Sequence, residues 1–220
     1  MKKAYLHAYL LLSVLVMLGA LAFTAWLFPD LPPRIPIHWN EHGDADGFGP
    51  RAVLFVHTGL MLAVIALWPL LARWSPRRFT VDGFAPTWWY GCLMLVALLA
   101  WVQCVHAWAV HRGGVDMGRA VMTGMALFFA FTGNVMGKVR RNFWLGIRTP
   151  WALASEHVWY ATHRLAARAM VAGGALALLL LLARAPKGWA LAAMIASVLL
   201  PAAWSLVYYR RLERRGALDA

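Results

Sequence analysis

The sequence predicts an all-α integral membrane protein with six transmembrane helices. Three observations carry that prediction. Of its 220 residues, 62% are apolar and only 14% charged, against roughly a quarter charged in an average soluble domain. The apolar residues fall into six stretches of about 20, the length that crosses a hydrocarbon core. The basic residues collect in alternate connections, as topology-setting charges do. So much apolar surface would leave too little polar surface to coat a soluble globule, and disordered and collagenous classes are excluded with it.

The predicted spans are 8–28, 52–72, 87–110, 119–137, 165–183 and 188–208. Each must be helical, because hydrocarbon offers backbone amides no water to bond. Turn and charge signals separate them: Pro29-Asp30, Arg73 to Arg78, Arg112-Gly113-Gly114, Lys138 to Arg141, and Ala185-Pro186-Lys187-Gly188. Trp26, Trp74, Trp88, Trp89, Trp108 and Trp189 lie near span ends and read as interfacial anchors. Pro201, inside the last span, predicts a kink. Lys2-Lys3 and Ala20-Leu21-Ala22 could belong to a signal peptide cleaved near residue 22. The apolar run continues to Phe28, however, well past the 7–15 residues of a signal core, so a retained helix is expected. Cys92 and Cys104 share one span, about 18 Å apart along a helix, beyond disulfide reach, and are expected to be free thiols.

Charge sets the expected orientation. One side collects 14 basic residues: Lys2, Lys3, Arg73, Arg77, Arg78, Lys138, Arg140, Arg141, Arg148, Arg164, Arg210, Arg211, Arg214 and Arg215. The other collects 6: Arg34, Arg51, Arg112, Arg119, Arg184 and Lys187. Arg168 stands just inside the fifth span. The richer side is cytoplasmic by the positive-inside rule, which places both termini there. The net charge of +12 thus reads as a topology signal, and no nucleic-acid partner is expected.

Two connections are long: an outer loop, 29–51, and an inner loop, 138–164. They divide the chain into three-helix halves, 1–115 and 116–220, of opposite orientation. That layout fits a 3+3 inverted-topology repeat. The halves share almost no sequence, so a coincidence of loop lengths stays open.

The outer loop holds His38, Glu41 and His42, spaced as in an inverted zinc-protease string. That chemistry needs a helix, and Pro36 and Gly43 leave no room for one. Asp44 and Asp46 resemble a fragment of a calcium loop without its closing Glu. The expected structure is a solvated turn behind a stiff Pro-rich entry, with His38 holding its shape through its ring nitrogens. His57, His106 and His111 also fall near the outer face, and Gln103 and His106 share a helix face. Structural roles are expected for these histidines. A metal role would require several of them to converge, and no cofactor is expected. The inner loop places Ser155 at a helix N-cap, before an amphipathic stripe of Val158, Trp159, Thr162, Leu165 and Ala166. Gly146 to Pro150 reads as a tight turn in which Arg148 could grip a carbonyl, carboxylate or phosphate in a fork. Basic residues with tryptophans at a cytoplasmic interface suit anionic lipid and equally suit a surface-lying connector. Gly133 with Gly137, and Ala172-Gly173-Gly174, are small patches for close helix packing.

These two loops carry a resemblance. Asn142-Phe-Trp-Leu-Gly146-Ile147-Arg148-Thr149-Pro150-Trp151, with Glu156, Val158-Trp159 and Thr162-His163-Arg164, resembles the signature of the SdpI family. These are small bacterial multi-pass membrane proteins named for an immunity protein against a secreted antimicrobial toxin. Pro32, Ile35 to Asn40, Gly43 and Asp46-Gly47 resemble the uncharacterised membrane domain that commonly precedes it. His42 is not carried over. The resemblance implies a non-enzymatic, six-helix inner-membrane protein that meets a peptide toxin at its outer face. It also implies that a cytoplasmic repressor could be held at the inner loop. It directs attention to His38, Asn40, Gly43, Asn142, Gly146, Arg148, Thr149, Trp159, His163 and Arg164. The alternative is a small transporter or channel-like protein entered between outer histidines and acids. It would need facing polar groups near the midplane, where the sequence offers only Gln103, Thr123, Thr132, Asn134 and Ser197.

Overall fold

The computed structural model describes residues 2–40 and 42–218. Its elements are α1 (Lys2–Leu27), β1 (Arg34–Trp39), β2 (Ala45–Pro50), α2 (Val56–Arg73), α3 (Ala85–Arg112), α4 (Met117–Met136), α5 (Pro150–Ala154), α6 (Glu156–Leu182) and α7 (Lys187–Glu213). Among the described residues, five helical segments are long and apolar enough to cross a membrane: Leu6–Asp30, Arg51–Arg73, Arg77–Arg112, Glu156–Leu182 and Lys187–Glu213. The expected fourth span forms the 20-residue helix α4 but is not among those five, because Arg119, Asn134, two threonines and several glycines dilute its apolar character. Outward faces are apolar in the way lipid demands: Leu182 is 79% exposed and Leu200 67%.

Two expectations change. The outer loop is not irregular, and the chain is not purely helical: β1 and β2 form an antiparallel hairpin. The pairing is irregular on either side of His38, with Ile35 buried and Ile37 and His38 exposed, and Gly43, at φ +95°, turns the chain back. The fifth span begins earlier than expected, since the amphipathic stripe and the apolar run form one continuous helix, α6. Along that stripe Val158, Trp159, Thr162 and Ala166 are buried. Ser155 occupies the N-cap position, but its hydroxyl donates to the Leu218 carbonyl at 2.9 Å instead of capping. Helix α7 runs through Pro201 without interruption. Trp26, Trp74 and Trp189 are largely exposed, as anchors should be. Trp88 is only 1% exposed and packs on Trp68 at 4.6 Å; it is a core residue. Both cysteines are free.

The two triplets of helices pair differently. In the first, α3 is the hub against α1 and α2; in the second, α6 is the hub against α4 and α7. The loop-length symmetry is therefore not matched in the packing. Gln103 ties the first triplet together inside the bundle. Its amide donates to Thr24 Oγ1 on α1 at 2.9 Å and to the Ala20 carbonyl at 3.3 Å. Its Oε1 accepts from Thr58 Oγ1 on α2 at 2.9 Å. Glycines tie the second. A Cβ on Gly173 would lie 2.6 Å from the Ser197 Cβ on α7, and one on Gly174 would lie 2.6 Å from the Ala126 carbonyl on α4. Adjacent residues of α6 thus admit two neighbours at backbone distance. The halves meet along α3 and α4, where the Trp101 indole N–H donates to the Ala120 carbonyl at 2.8 Å. At the start of α4, Asp116 caps the helix by accepting from the Arg119 amide at 2.9 Å and lies 3.6 Å from Lys187 of α7. Partial burial pushes its carboxyl up. The Arg119 amide and the charges of Lys187 and Arg119 outweigh that and hold it below the usual carboxylate range.

Substitution Gly174→Ala should lower stability in detergent by about 1–3 kcal/mol, the range for overpacking against atoms that cannot rotate away. Gly19→Ala, with nothing within 4 Å of the new methyl, should leave the melting temperature unchanged or slightly raised. Thermal unfolding of the purified variants checks both. Equal effects would show that α6 is not packed as described.

Candidate functional site

The residues singled out by sequence fall into two sites, one at each end of the bundle. At the outer end the hairpin closes through Asn40. Its Oδ1 accepts from the Asp44 amide at 2.9 Å, and the backbone pairs Asn40 N–H with the Asp44 carbonyl at 2.9 Å. His38 and Asp46 pair across the strands at 2.5 Å. The hairpin is pinned down from below. His106 Nε2 donates to the Pro36 carbonyl at 2.8 Å, and Trp39 sets its ring edge-on to His106 at 5.4 Å. Ile35 is fully buried among Leu27, Leu31, Leu54 and Ala107. Arg51 closes the joint: its Nη1 donates to the carbonyls of Phe28 (3.0 Å) and Leu31 (2.8 Å). Its guanidinium also lies 4.4 Å from the Phe28 ring.

Beneath the hairpin is a cavity of about 510 Å³ whose walls include His38, Trp39, His57, His106, Met122 and Met125. A second, of about 530 Å³, lies beside the turn, with Asp44 and Asp116 in its lining. The His57 and His106 rings stand perpendicular, 6.2 Å apart. Among the described residues no three His, Cys, Asp or Glu side chains come together to hold a metal. Glu41 lies outside the described residues. His38 is in a strand and His42 in a turn, so the helical geometry of the zinc-protease string is absent.

At the inner end, residues 138–149 fold into a plug. Asn142, fully buried, has all four of its hydrogen-bonding sites engaged. Its amide donates to the carbonyls of Arg140 and Leu145, both at 2.8 Å. Its Oδ1 accepts from the amides of Trp144 and Leu145, both at 2.7 Å. That turn delivers Gly146 at φ +114°, against the ring of His163, where a Cβ would collide with Nε2. His163, also fully buried, accepts the Ile147 amide on Nε2 at 3.0 Å and donates from Nδ1 to the Trp159 carbonyl at 2.8 Å. Both bonds hold together only for the neutral Nδ1–H tautomer, since Nε2 must keep its lone pair. Trp159 stacks on His163 at 4.0 Å and donates from its indole to the Val139 carbonyl at 2.8 Å.

Asn142, Gly146, Trp159 and His163 thus form one cluster. Thr149 stands beside it: its Oγ1 caps α5 through the Ala152 amide at 3.3 Å and lies 3.2 Å from Ser205 Oγ on α7. Arg148 and Arg164 stand outside and are exposed. The Arg148 guanidinium lies 4.7 Å from the Phe143 ring. Sequence reasoning did not anticipate the linking roles of Arg51, Ser75 and Arg141. Ser75 Oγ accepts from the Trp144 indole at 2.9 Å. Arg141 donates to the Leu153 carbonyl at 3.1 Å and lies 3.6 Å from Glu156. The one available signal was the placement of polar residues immediately beside helix ends.

Gly146→Ala should abolish folding of the plug, since it combines left-handed backbone strain with a collision against a packed ring. A loss of about 3 kcal/mol or more is expected. His163→Phe keeps the ring but leaves the Ile147 amide unpaired, and should cost about 1–3 kcal/mol. Proteolytic sensitivity after Arg141 checks both. Wild-type resistance of Gly146→Ala would disprove the packing.

Residues 138–209, covering the plug, α5, α6 and most of α7, match the SdpI/YfhL protein family. Residues 15–62, covering the second half of α1, the hairpin and the start of α2, match a domain of unknown function, DUF1648. The chain is 23% identical over 164 residues to the immunity protein SdpI of Bacillus subtilis strain 168, across 74% of this chain and 77% of that protein. No solved structure matches. Residues 138–209 are thus similar to the SdpI/YfhL family and residues 15–62 to DUF1648, in the same two regions as the motifs around Asn142–Arg164 and Pro32–Gly47.

Proposed function

We propose that this chain is a non-enzymatic, multi-pass inner-membrane immunity protein that meets a secreted antimicrobial peptide at its outer face. The observation that carries the reading is the hairpin roof over the cavity of about 510 Å³. Its walls join Trp39 and three histidines to methionines, a lining that suits an amphipathic peptide segment. The outer loop favours a cationic one, with Arg34 and Arg51 against Asp30, Glu41, Asp44 and Asp46. Each exposed charge adds only about 0–1 kcal/mol. In this reading α4 is the fourth of six spans, the halves are 1–115 and 116–220, and both termini are cytoplasmic. The plug then faces the cytoplasm and offers exposed Arg148 and Arg164 to a repressor or to anionic lipid, while Asn142, Gly146, Thr149, Trp159 and His163 hold its shape.

A transporter is not favoured. Gln103 is consumed by bonds to two helices. Thr123, Thr132 and Ser197 bond back to carbonyls of their own helices. Of the five midplane groups that leaves Asn134 alone, and a single group is not a line for a solute to follow.

Expression in a strain killed by a cationic secreted peptide should raise survival. Trp39→Ala and His106→Ala should remove that protection without removing the protein from the membrane, and EDTA should leave protection intact. Unchanged killing with wild type would refute immunity against that peptide. Loss of protection in EDTA, restored by zinc, would turn the outer histidines into a metal site. Topology is checked separately: reporter fusions after Arg78 and Arg215 should read inside, and one after Gly47 outside. An outside reading at Arg215 would eliminate the six-span reading.

A further inference from the structure

We infer that the groove between α4 and α6 is a binding site for an anionic phospholipid of the inner leaflet, held by Arg168 and Asn134. The groove measures about 420 Å³, and its walls include Gly133, Asn134, Ala167, Arg168, Val171 and Ala175. Arg168 and Asn134 are both exposed, on helices that also expose Phe131 of α4 and Val171, Leu176 and Leu179 of α6. A charged side chain within a spanning helix is expensive unless paired, and it marks a site by default.

Neither residue has a protein partner among the described residues. The ion pairs found there involve His38, Arg119, Arg141 and Lys187, and no carboxylate stands in the groove lining. Arg119 makes the contrast plain: placed at the other end of α4, it donates to the Leu181 carbonyl at 2.9 Å and approaches Asp116 at 3.5 Å.

Depth selects the ligand. The position of a Gly137 Cβ lies 3.8 Å from Ala167 and Arg164, while that of Gly133 lies 2.8 Å from Met170. Arg168 therefore stands within one turn, about 5 Å, of the inner end of α4, where Lys138 is exposed. From that level a guanidinium reaches the phosphate plane by snorkelling along its own stem. It can then fork onto a phosphate, with the Asn134 amide as a second donor. The acyl chain would lie along Val171 and Ala175. Lys138, Arg164 and Arg168 bring three positive charges to this edge of the bundle, matching the negative inner leaflet. A soluble phosphate would share the headgroup chemistry but would leave the apolar floor of the groove empty.

The test uses the full-length protein in detergent, with phosphatidylglycerol, phosphatidylcholine and sn-glycerol 3-phosphate as probes, read by native mass spectrometry and melting temperature. Phosphatidylglycerol should be retained and should raise the melting temperature; phosphatidylcholine and glycerol phosphate should do neither. Arg168→Ala should weaken phosphatidylglycerol retention about tenfold, as loss of charge-assisted hydrogen bonds predicts, and Asn134→Ala should weaken it less. Arg168→Lys should retain part of it. Both residues are exposed, so the lipid-free melting temperature should hold. Four results would overturn the inference: equal retention of the two lipids, an undiminished shift in Arg168→Ala, stabilisation by glycerol phosphate alone, or a wild-type dimer that Arg168→Ala dissociates.

Discussion

A membrane helix satisfies its own backbone, so the demanding positions are those where the chain leaves a helix near the hydrocarbon. In this protein those exits are closed by single polar side chains, and the architecture follows from where they stand. Arg51 takes the carbonyls freed where α1 ends. His106 takes the Pro36 carbonyl, which a strand cannot pair with the helix beneath it. Arg119 takes the carbonyls where α6 ends. Asn142 and His163 serve the chain between α4 and α6. Each is a side chain on one element reaching backbone on another, so closing a helix end also docks two segments.

This constraint explains why the two signature motifs look as they do. The inner one needs an Asn with four partners, a glycine in the left-handed region and a neutral imidazole, because the plug folds back onto α6 with no space to spare. Buried polar groups of this kind are costly when half-satisfied and rigid when complete. The outer one needs Asn40 and Gly43 to reverse the strand and Trp39 to cover His106. A fully bonded plug thus stands at one end of the bundle and a cavity under the hairpin at the other.

Much of the fold was legible because apolar length and basic bias act over tens of residues. The helices, their boundaries at Pro29, Arg73, Gly113 and Pro186, and the buried stripe from Val158 to Ala166 all follow from such averages. The hairpin was not, since six-residue strands with Pro36 and three nearby glycines carry little periodic signal, and what stabilises them is burial of Ile35 against distant helices. Burial of Trp88 was equally hidden: its partner Trp68 is twenty residues away, and a span-end tryptophan reads as an anchor. Within the sites, the identities of His38, Asn40, Asn142 and His163 were visible from motif resemblance. Their partners were not, because Ile147 meets His163 only once α6 and the plug are folded together.

Arg148 and Arg168 show how position separates residues of equal chemistry. Arg148 lies at the rim, over Phe143, where water and ions already satisfy a guanidinium and an ion pair adds little. Arg168 lies about one turn inside the bundle end, exposed beside Ala167, Val171 and Ala175, where a donor left unmet in an apolar setting carries a desolvation cost. Arg119 meets the same demand at the opposite end of α4 with carbonyls of its own chain. Helix α4 departs from the apolar pattern at its two ends, through Arg119 and Asn134. The first is answered from within the protein, and the second stands beside Arg168 in the groove between α4 and α6.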